Sequence, residues 1–151
     1  MAKRMLVPLD QTLDAEAVLP FVADAVTAGA TVRMLYVAPR PQNVVDLDGR
    51  IVAYADQELS RLEAESADYL RSVEARLPAG SIECAIRFGD PVDEILLDSE
   101  SFGADVVILT TGHHRGIARL LAGSTAEQIC RRSEAAVVIV RPGRWPSVEA
   151  A

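Results

Sequence analysis

Five short apolar runs recur along the chain: Met5–Leu9, Thr31–Val37, Ile82–Phe88, Val106–Leu109 and Val137–Val140. Val, Ile and Leu dominate them with little polar alternation, the pattern of strands covered on both faces. Between them the apolar spacing lengthens to three and four. Val18, Phe21, Val22, Ala25 and Val26 fall at i, i+3, i+4, i+7 and i+8, which predicts a helix with one buried stripe. Pro20 belongs in its first turns or kinks it, because proline lacks the N–H that an interior turn uses; Gly29 suits its C-terminal cap. A longer stripe, Ile51, Ala55, Leu59, Leu62, Ser66, Tyr69, Val73 and Leu77, predicts a second helix over residues 51–77, with Ser66 its weak member. A third helix starts sharply, with Asp90 to cap, Pro91 at the first helical position, and Asp93 and Glu94 at the positive end of the dipole. A fourth is predicted to begin at Ser124, where Ser124-Thr125-Ala126-Glu127 reads as a capping box. Strand alternating with helix implies a parallel sheet with helices on both faces and right-handed crossovers. The proline-containing stretch Ala38–Arg50 is expected to form a flap, and the tail from Pro142 to be loosely held.

The 151 residues suit one domain, with a core over residues 4–142 and a tail over 143–151. Half are hydrophobic and a quarter charged, ordinary for a soluble globular protein. A net charge of −7 argues against nucleic acid as a partner, which calls for a basic face. Cys84 and Cys130 form no CxxC pair and are expected to fill the core as small apolar residues. The opening MAKRMLVPLD has no long apolar region of the kind a signal peptide carries, and no run approaches the roughly 20 apolar residues of a membrane span. The expectation is a cytoplasmic protein with no membrane partner.

Chemistry concentrates in Asp105–Thr125, DVVILTTGHHRGIARLLAGST. An apolar strand empties into a polar, glycine-containing loop that ends at Gly123-Ser124. A loop leading into a helix N-terminus binds anions, because free backbone N–H groups and the positive dipole end converge there. Residues 101–151 are locally basic, at +2 on a chain of −7, which favours a small anionic ligand. Arg115 and Arg119 can reach a phosphate or simply solvate the surface. His113 and His114 lack a third ligand at a recognisable spacing for a metal; they are either a proton-dependent anion contact or a solvated loop. Ser, His and Asp are present without a Gly-x-Ser-x-Gly arrangement to organise a nucleophile, and no Lys or water-activating base occupies the loop. No catalytic residue is assigned; at most a slow ATPase is compatible.

These pieces together resemble the universal stress protein family: MLVPLD, LYVAP, GDPVDEILLDSESFGADVVIL, and GIARLLAGSTAEQI followed by AAVVIVRP. The resemblance implies an open, doubly wound, Rossmann-like α/β fold, a five-stranded parallel sheet of order 3-2-1-4-5 with four helices. Ligands of such sheets bind where the winding reverses, here between strands 1 and 4. Nucleotide-binding members carry a Gly-x2-Gly-x9-Gly-Ser/Thr loop after strand 4. In this chain its final pair falls on Gly123-Ser124, while Thr110 and His113 replace the two earlier glycines and Gly112 and Gly116 stand a few residues away. By carry-over the site comprises Pro8, Asp10, Val37, Thr110, His113, Arg115, Gly123, Ser124 and Thr125, with an adenine nucleotide, ATP first, as the ligand. Asp10 has the alternative of a turn residue, Pro8 and Val37 of core packing, and Ser124 of a helix cap. The resemblance also implies a homodimer through the last strand, Val137–Val140, and a stress-response regulatory role towards a protein client. The missing glycines leave open a second reading, a dimeric interaction scaffold that holds no nucleotide.

Overall fold

The computed structural model describes residues 3–12, 15–110 and 117–141, with Ala53 and residues 117–124 described by backbone alone. Five parallel strands form one sheet: β1 (Arg4–Leu9), β2 (Thr31–Ala38), β5 (Ile82–Phe88), β6 (Val106–Thr110) and β7 (Ala136–Val140). Their spatial order is β5-β2-β1-β6-β7, the 3-2-1-4-5 order expected. Helices α1 (Leu19–Thr27), α2 (Ala55–Glu74), α3 (Pro91–Phe102) and α4 (Ile117–Arg132) connect them. Because successive strand residues point to opposite faces, neighbours divide between two cores. Val7, Met34 and Ile108 pack with α1 and α2, and Leu6, Leu35 and Val107 pack with α3 and α4. Among the described residues, no helix is long and apolar enough to cross a membrane.

Helix ends follow the local chemistry. The Asp90 carboxylate accepts from the Asp93 N–H at 3.1 Å, Pro91 opens α3, and Gly103 closes it at φ +69°. Pro20 sits in the first turn of α1, where the missing N–H costs nothing. Gly29, at φ +93°, lies just beyond that helix and donates to the Val26 carbonyl. α3 is bolted to the sheet through Asp98, which is 2% exposed and accepts from Arg33 at 3.1 Å and Arg87 at 2.9 Å. Phe102, at the end of the same helix, is flanked by the guanidinium groups of Arg4 and Arg33, 4.3 and 4.5 Å from its ring centre.

Three expectations are corrected. The helix predicted from residue 51 starts at Ala55, because Ile51–Ala53 is a strand, β4, paired antiparallel with β3 (Val44–Val45). The segment expected to form a flap is built as a β-hairpin. Its β-branched residues favour pairing; Asp46 Oδ1 accepts the N–H groups of Asp48 and Arg50, each at 2.9 Å, and Gly49 takes φ +79° in the turn. The helix predicted from Ser124 starts at Ile117, since Ile, Ala, Arg and Leu before Gly123 are strong helix formers and one interior glycine costs only about 1 kcal/mol. Gly123 and Ser124 thus lie inside α4. Finally, Cys84 and Cys130 are both exposed: the first lies on β5, an edge strand, and the second follows the buried Ile129 around α4. Partial desolvation of its thiol and the nearby Glu74 push Cys84 up to about 11, which favours the protonated thiol near neutrality.

Candidate functional site

The winding reverses between β1 and β6, and there the sheet opens. β1 pairs with β2 along six residue pairs, but with β6 only at Met5–Val106 and Leu6–Val107. Two residues further on stands Pro8, which has no N–H with which to extend a ladder. Beyond this point the carboxyl ends of the strands border a cavity of about 210 Å3. The strands contribute Pro8, Leu9, Leu35, Val37, Leu109 and Thr110 to its lining. The start of α3 contributes Pro91 and Ile95, and α4 contributes Thr125, Ala126 and Ile129. Asp10, Thr12 and Ala15 complete it from the segment after β1.

Five of the residues singled out in the sequence, Pro8, Asp10, Val37, Thr110 and Thr125, meet in this cavity. Asp10 takes up its turn role as well. Its Oδ1 accepts from both the backbone N–H and the hydroxyl of Thr12, whose hydroxyl in turn accepts from the Ala15 N–H at 3.2 Å. Gln11 between them holds φ +66°, an uncommon conformation for a residue other than glycine. Burial, and after it the Asp10 and Glu65 carboxylates, raise the Tyr36 phenol on β2 above its ordinary value. Gly123 and Ser124 are not at a helix start. They occupy the second turn of α4, where backbone N–H groups bond to carbonyls four residues back. His113, His114 and Arg115 lie outside the described residues, as does the tail 142–151.

Sequence reasoning did not single out Leu35, Leu109, Ile95 or Ile129. Each reads as ordinary core, and only topology reveals that the core thins to a slot at this end of the sheet. Pro8 carries a further signal: a proline in a central strand limits pairing with one neighbour, here β6, while the ladder to β2 runs on. The position of Pro91 at the first turn of α3 was legible, but not its place in the site.

Asp10 is the one titratable side chain among the described lining residues. The rest is an apolar slot with three hydroxyls at its edge, from Thr12, Thr110 and Thr125. Such a slot suits a flat, largely apolar group with a polar rim. Among the described residues, no group of three His, Cys, Asp or Glu side chains is placed to hold a metal ion.

A model of the universal stress protein family matches residues 1–141. The fold is also that of several solved structures. The hypothetical protein MJ0577 is 22% identical, with 96% of this chain and 99% of that one covered at a TM-score of 0.74. A universal stress protein in complex with cAMP is 17% identical, with 93% and 97% covered at 0.66. The universal stress protein from Archaeoglobus fulgidus in complex with dAMP is 15% identical, with 92% and 97% covered at 0.56. At such identities the structures speak for the fold alone, whereas the family model spans nearly the whole chain: this protein belongs to the universal stress protein family.

Proposed function

We propose that the protein is a regulatory module that binds an adenine nucleotide, ATP included, in the crevice between β1 and β6, gripping it chiefly by its nucleoside half. One observation carries this reading: Pro8, Asp10, Val37, Thr110 and Thr125 line a single apolar cavity at the topological switch point, where open α/β sheets take their ligands. The base enters the slot between Val37 and Ile95, and Asp10 faces the ribose. Two universal stress proteins of this fold solved in complex with cAMP and dAMP support the choice of adenine. The cavity, at about 210 Å3, is smaller than the roughly 300–1,000 Å3 of ligand sites, which fits a nucleoside better than a whole triphosphate. Calorimetric titration with ATP, together with mass spectrometry of ligand released on denaturation, tests the reading. Neither a titration signal nor a released nucleotide would reject it.

A second reading draws on the continuity of α4. With Gly123 and Ser124 inside a helix, their N–H groups are engaged and do not cradle a phosphate. That favours a scaffold that acts through its surfaces. In either case the apolar edge strand β7 is the proposed homodimer contact: Val138 and Ile139 remain exposed on it, and an open apolar edge invites pairing. Val138→Asp is expected to yield monomers in sedimentation with an unchanged circular dichroism spectrum; a well-folded dimer would reject the contact.

A further inference from the structure

We propose that the β3–β4 hairpin is a lid that closes over the ligand in the β1–β6 crevice and adds an apolar cover to its apolar walls; this rests on the nucleotide reading above. Among the described residues, nine large apolar side chains stand exposed, and six of them belong to the hairpin and its flank: Val44, Val45, Leu47, Ile51, Val52 and Tyr54. Leu47 at the tip is fully exposed. Single exposed apolar residues are ordinary, but a concentration of them on one short element marks a surface built to be covered.

The hairpin is attached to the wall of the crevice. It follows directly from Val37, which lines the cavity, and Ala38, which ends β2. Five irregular residues, Pro39 to Asn43, join that wall to β3, and an extended link of that length spans at most about 17 Å. At the other end the side-chain oxygen of Asn43 accepts the Ala55 N–H, the first of α2, at 2.8 Å. The base of the hairpin is therefore pinned to a helix start. Its tip is tied by Asp46, so the element swings as a unit on the Asn43–Ala55 hydrogen bond as its pivot, with the irregular residues 39–42 giving the slack. Closure of this kind gates access to many binding sites.

The cavity suits such a cover. It takes only part of a nucleotide at about 210 Å3, and its strand-derived lining, with Leu35, Val37 and Leu109, is apolar. Laying Val45, Leu47 and Val52 across a bound base removes these side chains and the base from water together.

Hydrogen exchange, run with and without saturating adenosine and ATP and paired with calorimetry, tests the lid. Protection of residues 44–53 on ligand addition, with α2 unchanged, is expected. The doubly substituted Val45→Ser, Leu47→Ser protein should keep the parent's spectrum and bind adenosine about tenfold or more weakly. Parent affinity in that protein, or ligand binding without hairpin protection, would overturn the lid while leaving the nucleotide reading intact. Absence of any binding by the parent would overturn both. Protection without ligand that grows with protein concentration would assign the surface to a second copy and overturn the lid.

Discussion

On its β1–β2 side the crevice is walled by Pro8, Val37 and Leu35, with Ile95 facing them from α3, and these come from elements anchored on every side. On its other side α4 runs past with Thr125 and Ala126, its helical hydrogen bonds unbroken through Gly123 and Ser124. The first half is a preformed apolar slot; the second offers hydroxyls rather than free backbone donors. The difference teaches where binding free energy can come from. Apolar burial is available as the structure stands, whereas an anion cradle of backbone N–H groups would first require part of α4 to open. The half that reads like ordinary core sequence is the preformed half, and the half with the sequence motif is committed to helix.

A charge in the apolar half should have the largest effect. Val37→Asp places a carboxylate where the base must lie, and nucleotide affinity is expected to fall more than a hundredfold, about 3 kcal/mol or more, because the charge would be desolvated. Calorimetry with a folded, dichroism-checked variant decides it; a retained affinity would move the base elsewhere. Asp98→Ala attacks the support of the same half. It leaves Arg33 and Arg87 without the buried carboxylate that joins α3 to β2 and β5. Since both cations are partly exposed, the expected cost is about 2–3 kcal/mol, at the lower end for a broken buried pair, read as a lowered denaturant midpoint.

The α4 half should respond in the opposite sense. Gly123→Ala raises helix propensity, so stability should rise by up to about 1 kcal/mol while adenosine affinity stays within about twofold. A variant that loses nucleotide binding would show instead that the ligand needs the glycine backbone at that position. The smallest effect expected is with pH. Between about pH 8 and 6.5, ATP affinity should change less than about twofold, since the described slot brings no histidine to the ligand. A clear strengthening on acidification, abolished in a His113→Asn, His114→Asn protein, would bring the imidazoles to the phosphates.

Much of this architecture was legible in the chain. Unalternated Val-Ile-Leu runs gave five strands to within a residue or two, and the Asp90-Pro91 start of α3 was readable from cap chemistry alone. What failed, failed for physical reasons. The period of the second stripe carried through Ile51, although Asp46, Gly49 and the β-branched residues around them turn that segment into a hairpin. The capping box at Ser124 was outweighed by the helix-forming residues before it, because a local cap signal cannot show whether a helix has already begun. Cys84 was placed in the core on residue type, yet its strand is at the sheet edge, a fact of topology. The cavity lining divides in the same way: Pro8, Asp10, Val37, Thr110 and Thr125 are named by the family resemblance, and Leu35, Ile95 and Ile129 have no signal apart from their neighbours in space.

The nucleoside-centred account is tested most directly by titrating the protein with adenosine and with ATP under one set of conditions. If the apolar slot supplies the binding, the two affinities should agree to within about tenfold, a difference of roughly 1.4 kcal/mol. ATP binding more than a hundredfold tighter than adenosine, or a protein that binds neither, would contradict it.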